Sequence, residues 1–239
     1  MKHTVALGSV LLSLFLWSCG GDDGSPTAPT PTPVATSITL SVTSLSLASL
    51  GETSQLTATV KDVFGATMAS AVVIWTTSDT GVATVSSTGL VTSVGNGSAT
   101  ITATSGSASA TATTTVSQVA SSVTLSPTSL SLASIGATAT LTPTVKDAGG
   151  ATISGATVTW TTSSSSIATV SSAGLVTAVA NGTATITATS GSVNTTATTT
   201  VSQVASSVTL TPTSLSLASV GDTAPLTPTV KDAGGAVIS

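Results

Sequence analysis

Trp75 recurs as Trp160, Lys61-Asp62 as Lys146-Asp147 and Lys231-Asp232, Asn96-Gly97 as Asn181-Gly182, and Gly51 as Gly136 and Gly221, always 85 residues on. Val116-Ser117-Gln118-Val119 returns as Val201-Ser202-Gln203-Val204 in the same register, and no insertion disturbs the spacing. A fixed period means that one structural unit is repeated along the chain, so the fold of one copy fixes the fold of all. Copies two and three are almost the same sequence, so the positions shared by the more divergent copies one and two carry more information.

Within copy two the apolar residues alternate. Val123 and Leu125 lie in a short strand that stops at Pro127, and Ala139, Leu141, Pro143 and Val145 share one face of another. Val158 pairs in phase with Trp160, Ala168 with Val170, and Ala184 with Ile186 and Ala188; Ala197, Thr199 and Val201 close the unit. Turn residues separate these runs: Gly136, Asp147-Ala148-Gly149-Gly150, Ser171-Ser172-Ala173-Gly174, Asn181-Gly182 and Gly191. Period-two alternation broken every 8–12 residues is the pattern of a β-sandwich, and it predicts about seven strands per unit with no competing helical period.

Composition agrees and also excludes. Thr and Val favour a pleated, half-buried surface. Only 5% of residues are charged while 40% are hydrophobic, which is not the profile of a disordered chain. After Lys2 the only cations are Lys61, Lys146 and Lys231, so a nucleic-acid footprint is excluded.

The stretches Leu-Ser-Leu-Ala-Ser-x-Gly, Leu-Thr-Pro-Thr-Val-Lys-Asp, Val-Thr-Trp-Thr-Thr-Ser, Ile-Ala-Thr-Val-Ser-Ser-x-Gly-Leu-Val-Thr-Ala-Val and Asn-Gly-Thr-Ala-Thr-Ile-Thr-Ala-Thr follow one another through the unit. Their order resembles the bacterial immunoglobulin-like group 2 domain. The resemblance spans residues 37 to 239 and implies an all-β chain of tandem Ig-like β-sandwich modules. It implies extracellular display, as in surface adhesins and as accessory modules of secreted enzymes, and no single activity.

The N-terminus supplies the expected location. Met1-Lys2-His3 precedes an apolar run from Thr4 to Trp17, too short for a stable spanning helix and of signal-peptide length. Leu16-Trp17-Ser18-Cys19 resembles a bacterial lipobox, although Trp17 is larger than the pattern prefers. The resemblance implies cleavage before Cys19 and lipidation of Cys19, which would anchor the chain in a membrane. Gly20 after the cysteine resembles outer-membrane sorting and leaves open which side the modules face. The Pro/Thr-rich Ser25–Ser37 favours polyproline II, a spacer of roughly 40 Å at ~3.1 Å per residue.

The expected organisation is a signal peptide over 1–18, lipidated Cys19 and linker over 19–36, module 1 over 37–119, module 2 over 120–204 and a truncated module 3 over 205–239. Copy three stops before its Trp strand, and two or three strands cannot bury a sandwich core. The expectation is a fragment of a longer protein, the alternative being a last segment that is poorly ordered or borrows a neighbour's edge.

Catalysis fails on inventory. His3 is the only histidine and lies in the signal, Cys19 is the only cysteine, and no serine has a base partner. No carboxylate pair, phosphate loop or metal cluster is present, so no enzyme activity, cofactor or metal is expected. Trp75 and Trp160 are read as core residues, with a sugar-stacking platform as the alternative. Asp62, Asp147 and Asp232 are read as turn residues bonding their own backbone, against calcium ligands, which would need more oxygens than each unit offers. Lys61, Lys146 and Lys231 are read as solvated edge charges, and Asn96, Asn181 and Asn194 as turn chemistry. The expected function is a cell-envelope lipoprotein displaying Ig-like modules for adhesion or protein interaction, with an unidentified surface protein or glycan ligand. The alternatives are a passive stalk for a further C-terminal domain and a carbohydrate-binding accessory module.

Overall fold

The structure, a computed structural model, describes residues 33–238. The expected signal, Cys19 and most of the Pro/Thr-rich segment lie outside the described residues. Module 1 contains β1 (Ala35–Leu40), β2 (Ser44–Leu47), β3 (Thr53–Gln55), β4 (Ala58–Asp62), β5 (Ile74–Thr77), β6 (Ala83–Val85), β7 (Leu90–Ser93), β8 (Gly97–Ser105) and β9 (Ala108–Val116). Module 2 repeats them as β10 (Ser122–Ser126), β11 (Ser129–Leu132), β12 (Thr138–Thr140), β13 (Thr142–Lys146), β14 (Thr159–Thr162), β15 (Ala168–Val170), β16 (Leu175–Ala178), β17 (Gly182–Ser190) and β18 (Val193–Val201). Copy three supplies β19 (Ala205–Thr211) and β20 (Thr227–Asp232), which pair antiparallel.

The sequence predicts about seven strands per module, whereas nine segments form. Two of the seven strands are broken. The first switches sheets: β1 pairs antiparallel with β4, while β2 pairs parallel with β9. The second breaks at Leu56-Thr57: β3 pairs with β7 and β4 with β1. The Leu56 N–H donates to the Gly89 carbonyl at 2.9 Å and so holds the break closed. One layer is therefore β2-β9-β8-β5, and the other joins β1-β4 to β3-β7-β6.

The two layers meet on the faces that alternation selects. In β17 the buried residues are Ala184, Ile186, Ala188 and Ser190; in β18 they are Ala197, Thr199 and Val201. The apolar ones among them pack with Leu130 and Leu132 of β11, Leu141, Val145 of β13 and Val176 of β16 into one cluster. Module 1 builds its interior from Leu47, Leu56, Val91, Ile101 and Val116, continued by Ile38 and Val60. Each fully buried aliphatic side chain contributes roughly 1.5–3 kcal/mol relative to exposure. The inward alanines on β8 and β17 leave room for the few large side chains of the facing sheet.

Asn181-Gly182 does not close a hairpin between paired strands. β16 and β17 belong to different sheets, and the dipeptide carries the chain between them. The tight two-residue hairpin lies at Gly191-Ser192, between Ser190 and its partner Val193, and a longer one joins β15 to β16 through Ser171–Gly174. In copy three, Val208, Leu210, Leu215, Leu217 and Leu226 stay exposed, as expected of a strand pair with no opposing sheet.

Candidate functional site: the junction between modules

Four elements meet where one module hands over to the next. The first is the Ala48–Glu52 loop between β2 and β3. Glu52 accepts bonds from the Ala48 and Ser49 amides at 2.7 and 3.2 Å. The buried Ser93 hydroxyl donates to the Ser49 carbonyl at 2.6 Å, so the loop is braced from within. The second is Asn96, before β8. The third is the connector after β9: the Ser117 N–H donates to the Leu47 carbonyl and the Val119 N–H to the Ala48 carbonyl. The fourth is the turn that follows β13, Asp147 to Gly150.

Asp147 joins these elements. Its Oδ2 accepts the Leu50 N–H of the preceding module at 2.9 Å and the Gln118 side-chain amide at 2.8 Å. Its Oδ1 accepts the Ala151 N–H at 2.8 Å. Gln118 is fixed by Asn96, which donates to its side-chain oxygen at 3.0 Å and accepts its backbone N–H at 2.8 Å. The Asp147 residue is only 3% exposed. A buried carboxylate is tolerated when its oxygens meet several donors. The Gln118 amide and the Leu50 N–H lower the Asp147 pKa below the ordinary 3.8, against a smaller upward push from desolvation.

The same constellation recurs one period later. Asp232, also 3% exposed, accepts the Ile135 N–H at 2.9 Å and the Gln203 amide at 2.9 Å, and Gln203 is held by Asn181. Gln203 first, with Ile135 behind it, lowers the Asp232 pKa. Asp62 occupies the equivalent position in module 1, but among the described residues its carboxylate accepts only local bonds, from the Phe64 and Ala66 amides at 2.9 Å.

The turn-aspartate expectation therefore describes Asp62 fully and Asp147 and Asp232 only in part. The joint roles of Asn96, Gln118 and Asp147 were not foreseen from sequence. The available signal was the shared period of the Asn-Gly, Ser-Gln and Lys-Asp motifs; what it lacked was that the third motif acts on the module before it.

The other candidates separate by place. Lys146 is exposed beside Asp147. Asn194 is exposed on β18. Trp75 and Trp160 face inward with Val73 and Val158 and pack half-buried against their module cores. An added Cβ at Gly174 would lie 2.5 Å from the Leu141 carbonyl oxygen and 2.8 Å from the Trp160 ring, so the indole rests on bare backbone. Trp75 also edges a shallow groove of about 290 Å³ with Gln55, Ala71 and Thr88. Among the described residues no group of three or more His, Cys, Asp or Glu gathers to hold a metal ion.

The sequence model described as the bacterial Ig-like domain (group 2) matches residues 34–116 and 119–201. No curated relative matches the chain. Among solved structures, the S-layer protein rSbsC is 22% identical over 87% of this chain and 32% of its own, with a TM-score of 0.36. Invasin, a bacterial integrin-binding protein, is 20% identical over 84% of this chain and 48% of its own, with a TM-score of 0.43. Drosophila N-cadherin EC1-4 is 14% identical over 71% of this chain and 50% of its own, with a TM-score of 0.38. The chain thus spans about a third of the S-layer structure it matches.

Proposed function

The chain belongs to the bacterial Ig-like domain (group 2) family, and on that premise we propose that it is an envelope-anchored array whose modules hold a binding surface or a further domain away from the membrane. The observation that carries this reading is the repeated junction: both connectors are bonded to the modules on either side, and each closes over a buried aspartate. A connector bonded on both sides has little freedom, which suits a spacer. Cys19 would supply the anchor through its lipid, and the Pro/Thr-rich segment the first part of the reach. Non-enzymatic display is consistent with a residue inventory that offers no nucleophile with a base.

A second reading, adhesion through module 1, rests on one comparison. Module 1 exposes Val63, Phe64, Val72 and Ile74 where module 2 has Ala148, Gly149, Thr157 and Thr159. The two readings separate by experiment. The chain without its first 18 residues is applied to matrix proteins, glycans and envelope fractions. Retention on one of these surfaces, lost when Val72 and Ile74 become Thr, supports adhesion; no retention on any supports the spacer. The anchor is tested by palmitate labelling in a bacterial host, where label persisting in Cys19→Ala refutes it.

A further inference from the structure

Gly149 touches the preceding module. A Cβ added there would stand 2.6 Å from the Leu50 carbonyl oxygen and 3.6 Å from the Ser49 Cβ. Gly234 repeats the arrangement, 2.6 Å from the Ile135 carbonyl oxygen and 3.5 Å from the Ser134 Cβ. The next glycines, Gly150 and Gly235, have φ of +84° and +83° and open space around them. The two glycines of the turn thus do different things: the second permits the backbone, and the first permits the contact.

Module 1 keeps the second glycine, as Gly65 at φ +80°, and replaces the first with Phe64. Phe64 is 89% exposed and its neighbour Val63 69% exposed, on the turn that leaves β4. Asp62 there keeps its local bonds, so the turn itself is unchanged. What differs is whether a loop of Ser-aliphatic-Gly type can approach its face.

We propose that the Asp-x-Gly-Gly turn is a recognition face for the Ser-aliphatic-Gly loop of another Ig-like module, and that Phe64 closes this face in module 1. The fitting partner presents a free N–H at the aliphatic position, as Leu50 and Ile135 do, and a carbonyl that lies flat against the first glycine. A module with Phe at that position accepts no predecessor. Docking in this array is therefore directional: a module is added behind an existing loop and never in front of module 1. Copies of the chain cannot join through the module 1 face either, although the equivalent loop at Ser219-Val220 in copy three is exposed.

The test uses amide hydrogen exchange in the full chain. In Gly149→Ala the Leu50 amide is expected to lose its protection and exchange like that of Val220, the equivalent residue in the uncovered loop of copy three. Amides of β17 and β18 should keep theirs, which shows that module 2 remains folded. The complementary chain carries an added copy of residues 120–204 between Val34 and Ala35, which keeps the 85-residue register of the connector. With Phe64 present, the Ile amide of the added loop is expected to be unprotected; with Phe64→Gly and Val63→Ala it becomes protected as Ile135 is. Unchanged Leu50 protection in Gly149→Ala, or equal protection of the added loop with and without Phe64, overturns the proposal.

Discussion

The Asp147 carboxylate lies 2.9 Å from the Leu50 amide nitrogen, 97 residues earlier and in the preceding module. Because the docked pKa is lowered, the carboxylate favours docking in its charged form. The junction is therefore at full strength above the ordinary aspartate value of 3.8, and is lost only as pH falls below it, through the lowered value. The Leu50 amide chemical shift is expected to stay constant from neutral pH to about 4 and to move below that. Ile135, facing Asp232, should follow the same course. A transition near pH 6 at either amide would contradict this.

Asp147→Asn keeps the side-chain size but replaces one carboxylate oxygen with an NH2 group, so a donor faces either the Ala151 N–H or the Leu50 N–H and the Gln118 amide. Modules 1 and 2 are expected to reorient independently in ¹⁵N relaxation, with the circular dichroism of the chain unchanged. Asp62→Asn serves as the control, since among the described residues Asp62 bonds its own turn and takes no part in the junction, which it should leave intact.

The indole and the glycine beneath it form one packing unit. Trp160→Ala is expected to destabilise module 2 by about 3 kcal/mol, the low end for a large aromatic because the ring is half-buried. Gly174→Ala, at φ +78° and against the Leu141 carbonyl, should cost about 2 kcal/mol or more. Urea unfolding followed by circular dichroism, with the near-identical fold of module 1 as internal reference, measures both.

Thr114 and Thr199 are fully buried, and their hydroxyls have no partner among the described residues. Valine has nearly the same shape without the unmatched polar group. Thr199→Val is expected to raise the stability of module 2 by about 1 kcal/mol, and Thr114→Val that of module 1. A loss of stability in both would mean that the hydroxyls are bonded.

Alternation was a reliable guide wherever a strand has one wet and one dry face. Ala184, Ile186 and Ala188, and Val158 with Trp160, lie on the faces their spacing indicates. It could not show the two broken strands, because a strand that changes partner midway keeps its period. Nor did Asn181-Gly182 announce a crossing between sheets, since the same dipeptide serves a hairpin equally well. The junction was hidden for a different reason. Asp147 is local to its turn through one oxygen and reaches the previous module through the other, and only the second half depends on the tertiary arrangement. Gly149 and Phe64 were visible as a difference between copies, but its meaning needed the distance to the Leu50 carbonyl.

The parallel pairing of β11 with β18 has a consequence for a chain under tension. The module is entered through β10 and β11 and left through the end of β18, with Ser129 opposite Thr198 and Leu132 opposite Val201. A pull on the two ends of the module drags these strands past each other along their length. Their hydrogen bonds are then loaded together in shear and do not peel apart one at a time. The β2–β9 pair of module 1 is arranged alike, Ser44 opposite Thr113 and Leu47 opposite Val116. Each complete copy thus places a transverse latch across the line of force between its two ends.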